Sequence, residues 1–342
     1  MQNAKKAVTL KDIALKTGFT VNTVSHALHD KPDISPKTKG IVHRAANEMG
    51  YIANSFASYL RSGISKIIAL IIGDISNPHF AIIAKEIDMG LKDSGYTVII
   101  FNSEEDPRLE RQAIITALSQ NVDGIIICPA QGGEDNIKFI QSRQIPFVLL
   151  GRRIEGLDTN YTICNDTQGG YLATKYLIEN GHKEILFLNS SFEISSARER
   201  LDGYCGALNE AGIPYREDLQ ITLPAPNGRI SAYIQRMIKE QKGFTAVLAF
   251  NDMLAWEVIY LLNQNGRRVP DDCSVVGFDD IASKYHIPIQ LSSITSAKTT
   301  MARKALDILF GSMSNPNAGH EQIVLDTKLV ERNTVRRINV GQ

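Results

Sequence analysis

Over the first fifty residues apolar side chains recur every three or four positions. Beyond residue 66 they gather instead into short β-branched runs separated by amphipathic stretches. In the first part, Ile13, Ala14 and Leu15 belong to a short helix beginning after Thr9, a residue suited to capping with its hydroxyl. Val24, Ala27 and Leu28 fall at i, i+3 and i+4 of a second helix opened by Thr20 or Val21, and are expected to face inward. Thr17-Gly18-Phe19 makes the corner between them, with Gly18 supplying the positive φ that a sharp turn requires. A third helix is predicted from about Pro36 to Met49, capped by Ser35, with Ile41, Val42, Ala45, Ala46 and Met49 along one stripe and Gly50 as its stop. Tyr51 to Gly63 holds enough Ala, Leu and Phe for one or two helical turns, too few to stand alone below about 12 residues. The boundaries that follow are a head at 1–50, a hinge helix and linker at 51–66 and a body at 67–342.

Within the body, strands are predicted at Ile67–Ile72, Thr97–Phe101, Val122–Cys128 and Phe147–Leu150, with helices near 79–94, 107–120 and 134–143 between them. A second series places helices at 167–180, 197–211, 228–241 and 252–264, and strands at Ile185–Asn189, 219–223, 245–250 and 274–278. Such alternation implies parallel sheets covered by helices on both faces. Two units in tandem leave a cleft between an N-lobe, about 67–165 plus 296–320, and a C-lobe, about 166–295 plus 321–342. Ligands of open parallel sheets bind outside the carboxyl ends of strands. No GxGxxG follows the first strand and no GxxxxGK[ST] occurs, which argues against a dinucleotide or nucleoside triphosphate enzyme.

Charge divides the chain more sharply than the neutral total suggests. Residues 1–66 hold ten Lys and Arg against four Asp and Glu, so a basic head sits on an acidic body, as expected when one end meets phosphate. The four cysteines (Cys128, Cys164, Cys205, Cys273) show no CxxC pairing and read as reduced packing residues. No signal peptide and no run near the roughly 18 apolar residues of a membrane span is legible, so a cytoplasmic protein without membrane contact is expected.

The second helix leaves Asn22, Thr23, Ser25 and His26 outward. This polar set, rich in donors and acceptors, suits base edges in a major groove better than the Lys and Glu of a merely solvated helix, although a small packing domain gives the same two-helix signal. In the body, polar residues collect at strand ends: Asp74, Ser76, Asn77, His79 and Phe80, then Arg152, Asn165-Asp166, Arg198 and Arg200, Asn251-Asp252, and Asp279-Asp280. Asp279, Asn251 and Arg200 together suit vicinal hydroxyls, with Phe80 as an apolar wall, the construction of a sugar site. Asp166 and Asp252 read equally well as helix caps, and His79 as a wall residue. The seven histidines show no metal-ligand spacing and no serine sits in GxSxG, so no catalytic set, metal or cofactor is expected. Rival readings are a transport-system solute-binding protein, disfavoured by the basic head, and, further behind, a sugar hydrolase.

TLKDIALKTGFTVNTVSHAL, IVHRAANEMGYIANSFASYLRSG and IIALIIGDISNPHF resemble the lactose-repressor (LacI/GalR) family of bacterial transcription regulators. ICNDTQGGYLATKYLIENGHKEI, SARERLDGY, TAVLAFNDMLAWEVI and VPDDCSVVGFDDI continue the likeness in order and spacing. The resemblance implies a helix-turn-helix head, a hinge helix and a two-lobed α/β body like a periplasmic binding protein. It implies a dimeric repressor on a roughly palindromic operator, controlled by a sugar or sugar-phosphate effector as inducer or corepressor. On the same grounds Val21, Asn22 and His26 face base edges; Thr20, Thr23 and Ser25 join the DNA-facing set; and Asn54, Ala57 and Leu60 lie on a minor-groove hinge helix, with Leu60 as the wedge. His79, Phe80, Arg198, Arg200, Asn251 and Asp279 would contact effector, and Trp256 would face the partner subunit or lie in the core. Ala53 and Ser58 depart from the family's usual Pro and Arg, which would weaken the hinge, and Gly151 and Asn165-Asp166 depart in the effector loops. No leucine heptads that would form a tetramerising tail are read after Arg332.

Overall fold

A computed structural model describes residues 8–52, 59, 62–130, 132–223, 235, 243–285 and 287–338. The chain divides into two compact units, Met1–Ser65 and Lys66–Gln342.

The first unit contains helices α1 (Leu10–Thr17), α2 (Val21–Leu28) and α3 (Pro36–Met49). Their ends are fixed locally. The Asp12 N–H donates to the Thr9 hydroxyl while the Asp12 carboxylate accepts from the Thr9 N–H at 2.8 Å, a reciprocal box closing the start of α1. Gly18 ends α1 at φ 74°, Thr20 and Ser35 cap α2 and α3 through their hydroxyls, and Gly50 stops α3 at φ 67°. Ile13, Ala14, Val24, Ala27, Val42, Ala45 and Ala46 form the core. Leu15 does not join it: two places on from Ile13, about 200° around the helix, it is 76% exposed.

The second unit holds two six-stranded sheets. The first is built from β1 (Ile67–Ile72), β2 (Thr97–Asn102), β3 (Gly124–Ile127), β4 (Phe147–Leu150), β5 (Tyr161–Cys164) and β11 (Gln322–Leu325), in the order β11-β5-β4-β3-β1-β2. The second takes β6 (Ile185–Asn189), β7 (Gln220–Thr222), β8 (Ala246–Ala249), β9 (Ser274–Asp279), β10 (Ser292–Thr295) and β12 (Lys328–Val330), in the order β12-β10-β9-β8-β6-β7. Every pairing is parallel except β10 with β12. The runs IIALII and AVLA are buried because helices cover both faces: α4 (Pro78–Lys92), α5 (Pro107–Ser119), α6 (Glu134–Ser142) and α10 (Lys298–Ser314) on the first sheet, and α7 (Asp166–Glu179), α8 (Ser195–Glu210) and α9 (Asp252–Gln264) on the second.

Two boundaries differ from the sequence reading, which also placed no element at β10, β12 or α10. β5 is an additional strand at the edge of the expected crossover. β11 pairs with Tyr161–Cys164 of the first sheet, so the final crossing follows Leu325 and the N-lobe reaches further than residue 320. The helix expected over 228–241 lies almost wholly outside the described residues. Close approach of α7 and α8 depends on two glycines: a Cβ on Gly170 would stand 2.3 Å from the Arg200 carbonyl oxygen, and one on Gly203 2.1 Å from that of Thr167. That contact sets the height at which Arg200 enters the cleft.

Candidate functional site

In the head, α2 exposes Val21 and Asn22 and leaves Thr23, Ser25 and His26 partly exposed, with Thr20 exposed at its start. The Thr20 and Thr23 hydroxyls are 2.8 Å apart. His26 Nδ1 lies 2.6 Å from an Asp33 carboxylate oxygen, and His29 Nδ1 2.7 Å from the Ser25 carbonyl. Asn54, Ala57 and Leu60, with the departures at Ala53 and Ser58, lie outside the described residues.

In the body, the strand ends of both sheets open on a cleft of about 590 Å³. It is lined by His79, Phe80, Arg200, Asn251 and Asp279, five of the six residues expected to meet effector. His79 and Phe80 occupy the first turn of α4, whose cap is Asn77, accepting from the His79 N–H at 3.0 Å. Asn251 caps α9, its side-chain oxygen taken by the Leu254 N–H at 2.8 Å. Asp279 ends β9 at φ 110° and Asp280 follows at φ 51°, a conformation that L side chains rarely hold without surrounding support.

That support is buried beneath the turn. Asp252 accepts from the Ser293 hydroxyl at 2.6 Å and the Ile281 N–H at 2.7 Å. Arg332 pairs with Asp280 at 2.6 Å, and the Lys298 ammonium donates to the Asp279 and Asp280 carbonyls. Burial, reinforced by the Asp279 charge, pushes the Asp252 carboxyl up to about 8. Burial also acts to raise Asp279, but His79 at 3.0 Å, with Arg200 and Lys298 further off, outweighs it and holds the carboxyl below its ordinary value. The His79–Asp279 contact joins α4 of one lobe to β9 of the other.

Arg200 is held on three sides: its Nε donates to Asp166 at 2.7 Å, Nη1 donates to the Phe250 carbonyl, and the guanidinium lies over the Phe278 ring at 3.5 Å. Asp166 is therefore an ion-pair partner, and Asn165 is the cap of α7. Arg152 enters the cleft from the loop after β4 and is gripped by Glu105 at 2.6 and 3.1 Å, with the Pro129 carbonyl at 3.0 Å. Desolvation works against the Arg152 charge, and Glu105 more than offsets it. Both guanidiniums lining the cleft thus carry a carboxylate of their own, while Asp74, Glu257 and Asp279 add negative charge to its wall.

Arg198 is not in this cleft. Two places before Arg200 and about 200° around α8, it points to the surface, where it donates to the Phe192 carbonyl at 2.5 Å and to Glu155 at 3.4 Å. Beside it Arg153 meets Glu199 at 2.8 Å. Trp256, expected at a partner interface or in the core, packs half-buried against the second lobe's core and also lines the cleft, with no hydrogen-bond partner for its indole N–H among the described residues. Residues the sequence reading passed over include Glu105, Phe250 and Ser196; Glu105 and Phe250 follow strand ends, the signal that would have found them, whereas Ser196 lies in the first turn of α8. Cys128 and Cys164 also reach the cleft wall as free thiols. Among the described residues no group of three or more His, Cys, Asp or Glu is placed to hold a metal, and no helix is long and apolar enough to cross a membrane.

Residues 9–54 match bacterial regulatory proteins of the lacI family, and residues 174–335 match the periplasmic binding protein-like domain. The transcriptional regulator GalR of Salmonella typhimurium (strain LT2) is 31% identical over 333 residues, covering 96% of each chain. Among solved structures, the lac repressor dimer bound to operator and the anti-inducer ONPF superposes with a TM-score of 0.80 at 25% identity, over 97% of this chain and 100% of that one. A LacI-family regulator from Enterococcus faecium with bound ribose gives 0.70 at 25% identity, over 80% and 100%.

Proposed function

Because this chain belongs to the lacI family of bacterial regulatory proteins and is a DNA-binding transcription regulator with an effector-binding body, we propose that it is a cytoplasmic repressor, dimeric on a roughly palindromic operator and controlled by an uncharged sugar. The observation that carries the choice of effector is the pairing of Arg152 with Glu105 and of Arg200 with Asp166. A phosphate or carboxylate ligand needs cationic donors that are not already neutralised. This cleft instead offers acceptors (Asp279, Asp74) and the spare N–H groups of Arg200 beside the rings of Phe80 and Trp256, a surface matched to hydroxyl groups and the apolar face of a pyranose or furanose. The Enterococcus faecium regulator with bound ribose supports a sugar in the corresponding body.

Control follows from the His79–Asp279 bridge between lobes. A hydroxyl that takes over Asp279 changes the interaction holding the lobes, and the effector shifts the equilibrium by its differential affinity for the two arrangements. Asn22, Thr23, Ser25 and His26 then read base edges from the two half-sites, with Val21 against thymine methyl groups. Calorimetric titration of the full-length protein with a panel of neutral sugars and their phosphates, followed by operator gel shifts with each binder, tests both halves. A neutral sugar that binds and alters the shift supports the reading; binding restricted to phosphorylated sugars overturns it.

A further inference from the structure

The head is basic, yet one of its four acidic residues stands on the surface that would meet DNA. Asp12 closes the Thr9 box, Glu48 pairs with Lys16 at 2.7 Å, and Asp30 lies near Lys39 and His43 at 3.8 and 3.7 Å. Asp33, in the loop between α2 and α3, instead holds His26 Nδ1 at 2.6 Å. A carboxylate here opposes phosphate, so its place invites a reason other than affinity. The pair is solvent-exposed on both sides, and such pairs add little to stability. What it does determine is the imidazole. An ionised carboxylate accepts and cannot donate, so the ring proton sits on Nδ1 and only Nε2 is left for a partner. The His26 hydrogen bond in turn draws the Asp33 carboxyl below its ordinary value, which keeps it ionised.

We propose that Asp33 is a positioning residue for operator reading: by holding Nδ1 it fixes the ring orientation and tautomer of His26 so that the Nε2 lone pair faces a base edge. A lone pair there selects an exocyclic amino donor, adenine N6 or cytosine N4, over the acceptors of guanine or thymine. The inference rests on the proposed DNA-facing role of α2.

The test selects half-site sequences from a randomised operator with the whole chain. It compares the native protein with His26→Ala, Asp33→Ala and Asp33→Asn. Native protein is expected to favour an amino donor at one position, and His26→Ala and Asp33→Ala to lose that preference by roughly five- to tenfold. Asp33→Ala should at the same time bind random-sequence DNA more tightly, since a negative charge has gone. Asp33→Asn removes the charge but keeps an oxygen that can still accept from Nδ1 beside an amide that can donate, so it should retain part of the base preference while sharing the tighter non-specific binding; a merely electrostatic Asp33 would give Asp33→Asn and Asp33→Ala the same preference. An unchanged preference in Asp33→Ala, where His26→Ala loses it, overturns the positioning role. An unchanged preference in His26→Ala overturns the reading of α2 beneath it, and a guanine preference at that position overturns the tautomer.

Discussion

Asp166→Ala should cost the body far more than an ordinary surface change. Asp166 is 2% and Arg200 7% exposed, and the substitution leaves a guanidinium wedged over Phe278 with the Phe250 carbonyl as its remaining close acceptor. Removing one partner of a buried pair costs about 3–5 kcal/mol. Arg200 borders the cleft on one side, which places the expected loss near the lower end, about 3 kcal/mol. Against a domain stability of about 5–15 kcal/mol this is a large share, worth roughly 6–12 °C of melting temperature at about 2–4 °C per kcal/mol. Asp166→Asn keeps an acceptor for Nε and should lose only about 1–2 kcal/mol. The decisive variant is Asp166→Ala with Arg200→Met: the unpaired charge is gone and an apolar chain lies on the two phenylalanines, so the double variant should melt above Asp166→Ala alone. Urea and thermal unfolding measure these three and Arg200→Met alone. Simple additivity, with the double variant below either single one, would refute a desolvated ion pair as the source of the cost.

Asp279→Ala is expected to abolish the effector response in operator gel shifts and, because it also breaks the His79 bridge between lobes, to change effector-independent operator affinity; an unchanged response removes Asp279 from the effector site. Asp252 titrates near 3.8 in an unfolded chain and at about 8 when folded. Across that interval the native state binds the extra proton, so stability falls as pH rises from about 4 to about 8. Asp252→Asn has no such proton, and its urea midpoint should gain on the native protein's over the same range; parallel profiles would contradict the buried acid. On the surface of α8, Arg153 with Glu199 and Glu155 with Arg198 tie the loop after β4, which carries Arg152 into the cleft, to that helix through oppositely arranged charges. Glu199→Gln should shift effector affinity about two- to fivefold, as partly exposed pairs contribute about 0.5–1 kcal/mol. Joint reversal, Arg153→Glu with Glu199→Arg, should restore it, and titration calorimetry on the three proteins decides.

Local physics made the head readable and left parts of the body obscure. Thr9, Gly18, Thr20, Ser35 and Gly50 act on their own or the next turn, through a hydroxyl aimed three residues on or a positive φ, so composition alone marks the helix ends. Strands buried on both faces announce themselves as runs such as IIALII. β11 and β12 do not, since each is three or four residues long at a half-exposed edge, and each is assigned to its sheet by a distant partner. Arg198 was misplaced by taking a motif whole; the helical repeat already separates it from Arg200.

The same limit acts on the site, and there it changes the chemistry. Strand-end residues can be collected from the sequence one by one, but whether an arginine is a phosphate anchor depends on what faces it. Nothing in the sequence shows what faces Arg152 and Arg200; Glu105 and Asp166, far from them along the chain, occupy both. His79 read as a wall residue until Asp279 met it across the lobes. In each case the side chain was legible and the pairing was not, because pairing is fixed by topology over long separations. Charge balance in the cleft is a property of the pairs. It turns a site with two arginines from one suited to phosphates into one suited to hydroxyls, and it makes the bridge between lobes the element that an effector must alter.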